Sequence, residues 1–270
     1  MHTLVSICLL NISIFLNAAK VDTLVVYSNS MKKNIRSCIV IPDSYSKTGK
    51  SYPTLYVLHG YSGNYGSMAK DFHEVLQFAD QYGMIIVAVD GEFSSWYFDS
   101  PVDPAMRYET YVSKELVSFI DNNYNTIKQP SGRAITGLSM GGHGALYLSI
   151  RHQDVFGAAG SMSGGVDIRP FPESWDIAKR LGDMAQYPEN WEKNTVINQL
   201  YLLKNNKLAI IIDCGVSDFF IGVNRQLHEK MLYLNIKHDY IERPGAHTAD
   251  YWNNSLQYQA LFFDNFFKRK

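Results

Sequence analysis

Apolar residues recur along this chain with two distinct periods. Residues 22–28 and 35–41 read as strands, and Pro42-Asp43-Ser44 then turns the chain. Residues 54–58, 84–89, 133–137, 156–161 and 208–212 are short, nearly continuous apolar runs, and 239–242 is a last short one. Continuous runs of this length suit strands covered on both faces, as in a mostly parallel sheet. Between them the period lengthens to that of a helix. Phe72, Val75, Leu76 and Ala79 form one stripe over 71–82, and Val112, Leu116, Phe119 and Ile120 another over 111–124. A glycine-rich helix that would bury Ala145, Leu146 and Leu148 follows residue 137. Further helices are expected over 224–234 and over 254–267, the latter packed through Leu256, Ala260, Phe263 and Phe267. Strands alternating with helices predict an α/β fold, its sheet sandwiched between helical layers. Residues 165–206 break the rhythm. Rich in Pro, Trp, Asp and Asn, they read as an insertion with one or two helices.

Composition narrows the function. The 270 residues carry 26 acidic and 25 Lys/Arg side chains, and no basic block precedes Lys268-Arg269-Lys270. A nucleic-acid partner, which needs a positive field, is therefore not expected. Hydrophobic residues make up 46% of the chain, enough for one sizeable core. Aromatics reach 13%; many must be core, and some tyrosines and tryptophans are candidates to line an organic ligand pocket.

The first Lys or Arg is Lys20. Before it runs a short apolar stretch closed by Asn17-Ala18-Ala19, which reads as a secretory signal peptide over residues 1–19. The expectation is a secreted or periplasmic protein, with residues 20–270 forming one domain and no stable membrane insertion once the leader is removed. Cys38 and Cys214 would remain, either bridged or as two buried thiols. Neither belongs to a Cys-x-x-Cys pair, so no metal site is expected from them.

Gly137-Leu138-Ser139-Met140-Gly141 carries the chemistry. A Gly-x-Ser-x-Gly between a strand and a helix is a nucleophile elbow, in which glycines let strand and helix approach closely and the serine projects at the helix N-terminus. A nucleophilic serine needs a base, and the base a carboxylate, in the chain order Ser, Asp or Glu, His. His143 lies on the same helix as the serine, His228 falls within a helix and His238 precedes a strand. His247 follows the last strand and precedes the last helix, where a base belongs. Asp218 lies in the loop beyond the 208–212 strand and is the candidate carboxylate, whereas Asp213 lies almost in the strand and reads as structural. The oxyanion hole is assigned to the backbone N–H of Met140 and of Tyr61, the latter in the strand-end loop His59-Gly60-Tyr61. His59 itself reads as support for that loop. Trp96, Tyr97 and Phe98 follow another strand end and are expected to rim the substrate pocket, since three consecutive aromatics in a loop are not expected all to be core. Trp175 and Trp191 would cover its alcohol side.

With these residues in view, the chain resembles the esterase D-like branch of the α/β hydrolases, which holds tributyrin esterases, S-formylglutathione hydrolases, feruloyl and acetylxylan esterases and antigen 85-type acyltransferases. The resemblance runs from about residue 28 to 268. It rests on Leu58-His59-Gly60-Tyr61-Ser62-Gly63, Ser95-Trp96-Tyr97, Tyr108-Glu109-Thr110-Tyr111, the elbow through Ala145, Asp213-Cys214-Gly215 with Asp218, and Gly245-Ala246-His247. It implies a three-layer α/β-hydrolase sandwich, a triad of Ser139, Asp218 and His247, and no cofactor. The expected substrate is a small-molecule or oligosaccharide ester of a short acyl group, acetyl or feruloyl esters of plant polysaccharide among them. An acyltransferase with the same triad, or a silent carbohydrate-binding module on this scaffold, is the alternative.

Overall fold

The computed structural model describes residues 19–67, 74–204 and 207–269, so residues 1–18 of the expected leader, Cys8 among them, and Phe72 of the first helical stripe lie outside the described residues. Eight strands form one sheet: β1 (Lys20–Ser28), β2 (Lys33–Ile41), β3 (Thr54–Leu58), β4 (Ile85–Val89), β5 (Arg133–Gly137), β6 (Ala158–Met162), β7 (Ala209–Gly215) and β8 (Asp239–Arg243). Their spatial order is β1-β2-β4-β3-β5-β6-β7-β8. β1 and β2 make an antiparallel hairpin, and β2 runs antiparallel to β4. Every pairing from β4 to β8 is parallel.

The two-residue period of the strands divides the core between the faces. On β3, Tyr56 and Leu58 join one cluster while Leu55 and Val57 join the other. On β4, Ile85, Val87 and Val89 share the first, and Ile86 and Ala88 the second. The first face is covered by three helices. They are α2 (Tyr108–Thr110, the π-helical Tyr111–Leu116 and Val117–Asn123, continuous), α3 (Met140–Arg151) and α6 (Ile221–Tyr233). The second is covered by α1 (Glu74–Tyr82) and α7 (Ala249–Phe267), through Val75, Phe78 and Ala79 on one and Leu256, Ala260 and Phe263 on the other. This is the three-layer sandwich of an α/β hydrolase.

α3 is buried all round from Met140 to Ile150 rather than on one stripe. Its outer side is capped by the insertion, where α4 (Ile177–Leu181), α5 (Pro188–Asn194) and two 3-10 turns add Ile177, Leu181, Trp191, Val196 and Leu200 to the same core. α7 begins five residues before the expected 254, because the Thr248 hydroxyl caps it by accepting from the Tyr251 N–H. An apolar stripe does not reveal a polar first turn. Cys38 and Cys214 are two free, buried thiols.

Candidate active site

The parallel strands end in register. Leu58 pairs with Gly137, Met162 with Asp213, and Gly215 with Arg243, so the loops that follow β3, β5, β7 and β8 leave the sheet along one edge. After β5 the chain reverses at Ser139, with φ 56° and ψ −117°, and enters α3. A side chain held there costs about 1–3 kcal/mol and needs surroundings that fix it. Neighbouring glycines allow the turn. A Cβ on Gly141 would lie 2.2 Å from the Leu58 carbonyl oxygen, and one on Gly137 2.5 Å from the backbone of Gly141. The Ser139 N–H donates to the Met162 carbonyl at 2.9 Å, and its own carbonyl accepts from the His143 N–H at 3.0 Å.

The Ser139 hydroxyl donates to Nε2 of His247 at 2.9 Å, and Nδ1–H of His247 donates to Oδ2 of Asp218 at 2.8 Å. The other Asp218 oxygen accepts from the Phe220 N–H at 2.8 Å. The three residues come from three separate loops, yet form one hydrogen-bonded line. His247 is packed between the rings of Phe219 and Trp252, whose centroids lie 4.2 and 4.8 Å from its own. Asp213 has a different setting. Buried in β7, it accepts from Arg243, Tyr251 and Ser255 and ties β8 and α7 together behind the His247 loop.

The β3 loop lies against the elbow, since a Cβ on Gly60 would come within 3.3 Å of the Ser139 Cβ. Among the described residues, the N–H groups of Tyr61 and Met140 donate no hydrogen bond, while those of Ser62, Gly63, Ser139 and Gly141 all do. His59 fixes this loop from below. Its Nε2 accepts from the Gly91 N–H at 2.8 Å, so Nδ1 holds the proton and donates to the Gly60 carbonyl at 2.7 Å. Burial lowers its pKa and keeps the ring neutral.

Ser139 and His247 open into a cleft of about 500 Å3, lined by the Gly60–Gly63 backbone and by Trp175, Phe219 and Trp252. Trp175 stacks on Phe219 at 5.5 Å and 18°. The Tyr61 hydroxyl reaches Asp176 at 3.4 Å, joining the β3 loop to the insertion. Trp96, Tyr97 and Phe98 do not rim the pocket as the sequence led one to expect. All three are buried and none lines the cleft. Left-handed conformations at Trp96 (φ 51°) and Tyr97 (φ 60°) turn the whole run inward. The glycine-rich α3 then accommodates it, with Tyr97 filling the space a Cβ on Gly144 would need. Trp96 and Phe98 pack on the buried His143, and the Trp96 indole N–H donates to the Trp175 carbonyl at 3.0 Å. The aromatics thus form the layer beneath the cleft. Trp191 is likewise core, its indole bonded to the Gly182 carbonyl, so Trp175 alone of the insertion's tryptophans reaches the cleft. Phe219 and Trp252 escaped the sequence reading, although one directly follows Asp218 and the other lies five residues past His247. No group of three or more His, Cys, Asp or Glu among the described residues is arranged to hold a metal ion.

A strand–elbow–helix presenting a serine at the carboxyl edge of this sheet defines an α/β hydrolase. The chain belongs to the Esterase family, whose family model matches residues 28–263. It is similar to Esterase Rv1288 of Mycobacterium tuberculosis, with 33% identity over 236 residues, covering 78% of this chain and 52% of that relative. The chain thus spans about half the length of that protein. It is also similar to an acetyl esterase of Caldicellulosiruptor saccharolyticus, with 26% identity over 249 residues covering 85% of this chain and 92% of that one. Among solved structures, a ferulic acid esterase matches with a TM-score of 0.80 and 27% identity, covering 92% of this chain and 98% of that one.

Proposed function

We propose that the protein is a serine carboxylic ester hydrolase acting on short-chain acyl esters, acetyl or feruloyl esters of plant polysaccharide among them. The observation that carries this reading is the unbroken line Ser139–His247–Asp218, which opens into a cleft beside two unused backbone N–H groups. His247 takes the Ser139 proton as the hydroxyl oxygen attacks the ester carbonyl. The Tyr61 and Met140 amides receive the oxyanion, aided by the N-terminus of the twelve-residue α3. His247 then protonates the leaving alcohol, and water activated by the same ring releases the acid. Asp218 holds the imidazole tautomer and balances the imidazolium.

The aromatic wall of Trp175, Phe219 and Trp252 suits a small acyl group or a flat hydroxycinnamoyl ring, and the similarity to an acetyl esterase and to a ferulic acid esterase points the same way. Ser139→Ala is expected to lower p-nitrophenyl acetate turnover by about 10⁴-fold or more. Undiminished turnover would sink the assignment. A panel of p-nitrophenyl acetate, acetylated xylo-oligosaccharide and methyl ferulate then names the acyl class through a preference of about tenfold.

A further inference from the structure

A second, larger cleft of about 920 Å3 lies between α2, the end of α3 and the insertion, and shares no lining residue with the catalytic one. Its charges are almost all matched, within the lining or just behind it. Glu109 pairs with Arg151 and His152, and Asp99 with Arg107. Glu192 pairs with Arg169, and Lys193 with Glu189. Only Lys114, exposed on α2, has no ion partner among the described lining residues. A phosphate or polyanion site would need several uncompensated cations, and this cleft does not supply them.

Its hydrogen-bonding groups are arranged differently. Along the insertion wall the amide NH2 groups of Asn190, Asn198 and Gln199 are already engaged, with the Leu181 carbonyl, the Glu192 carboxylate and the Lys193 carbonyl. The Oδ1 atoms of Asn190 and Asn198 receive no hydrogen bond among the described residues, whereas the unpartnered Gln199 Oε1 is enclosed behind them. The opposite wall offers the Lys114 ammonium donors. A ligand meeting acceptors on one side and donors on the other must present both kinds of group to the cleft, as a polyhydroxylated chain does along its whole length. At the rim stands Tyr201, 78% exposed, with a ring face free to lie against a sugar ring.

We propose that this cleft is a non-catalytic binding site for a neutral oligosaccharide. The site does not depend on the esterase reading, because no residue of the triad takes part. Calorimetric titration of the intact protein with xylohexaose, cellohexaose and mannohexaose is expected to show binding of at least one, with a Kd on the order of 1 mM or tighter. Tyr201→Ala and Lys114→Ala should each weaken it several-fold, leaving p-nitrophenyl acetate hydrolysis unchanged. No binding of any of the three would overturn the proposal. Binding lost in Trp175→Ala but kept in Tyr201→Ala would overturn it too, by placing the sugar in the catalytic cleft. A preference for trigalacturonate that fades with salt would replace it with an anion site. Loss of ester hydrolysis in Ser139→Ala bears only on the catalytic reading.

Discussion

At the scale of single residues, the candidate site depends on positions where a side chain is absent. Gly60 is one case. A methyl group there would lie 3.3 Å from the Ser139 Cβ and 2.8 Å from the Leu138 Cδ1; the leucine can turn aside, but the tight contact with Ser139 presses the nucleophile and the loop that carries the Tyr61 N–H apart. Gly60→Ala is expected to lower kcat by about 10²-fold, the effect of losing one oxyanion donor, with the melting temperature little changed. Asp218→Asn tests the other end of the line. It keeps the shape but favours the wrong imidazole tautomer, and kcat should fall about 10⁴-fold in stopped assays with p-nitrophenyl acetate. The convergence of Ser139, Asp218 and His247 was legible because glycine spacing and chain order mark all three. The fate of Trp96, Tyr97 and Phe98 was not. Whether a loop aromatic faces inward depends on backbone torsions, here two left-handed residues, and on the room left by Gly91 and Gly144, where Tyr97 takes the space of a Cβ.

At the scale of elements, α2 and α3 are joined by a buried carboxylate. Glu109 accepts from Tyr147, Arg151 and His152. Burial raises its pKa, but the hydrogen bonds from His152 and Arg151 and the guanidinium charge outweigh that and hold it at about 2, below the ordinary 4.5. The folded state therefore binds this proton more weakly than the unfolded chain. The stabilisation is complete above pH 4.5 and is lost as pH falls towards 2. Glu109→Gln should be less stable at pH 7 by about 2 kcal/mol, and its urea midpoint should fall less steeply through that acid window. An equal acid slope in both proteins would show that the carboxylate does not link the helices. The parent elements were readable in the sequence, since the strands are continuous apolar runs and α1, α2 and α7 carry apolar stripes. The link was not, because residues 109, 151 and 152 meet only after α3 has packed on the sheet.

At the scale of the whole molecule, Cys38 in β2 and Cys214 in β7 report on cooperativity. They sit well apart in one sheet, both buried, and burial pushes both thiols' pKa values up. In a single cooperative domain both should stay silent to a thiol reagent until the urea transition seen by circular dichroism, then react together. Early reaction of one would divide the sheet into separately unfolding parts. The same titration counts thiols. Two in protein recovered from the producing cells would agree with removal of a leader containing Cys8, and three would contradict it. The mostly parallel sheet and its helical layers followed from the alternation of short apolar runs with helical stripes, whereas the spatial order of the strands was not legible, since periodicity does not say which strands pair. The insertion was recognisable only as a break in that rhythm, because its short helices are held by burial against α3 rather than by a periodic pattern of their own.

The shared strand register has a practical consequence. The triad and the Gly60 loop all sit at the carboxyl ends of the parallel strands, so the amino ends of those strands form an opposite side that the proposed chemistry does not use. Lys128, exposed in the loop that leads into β5, lies on that side. With both native thiols of the described residues shielded, Lys128→Cys would place one reactive handle there, and coupling it to a solid support would anchor every molecule with its cleft turned toward an insoluble substrate.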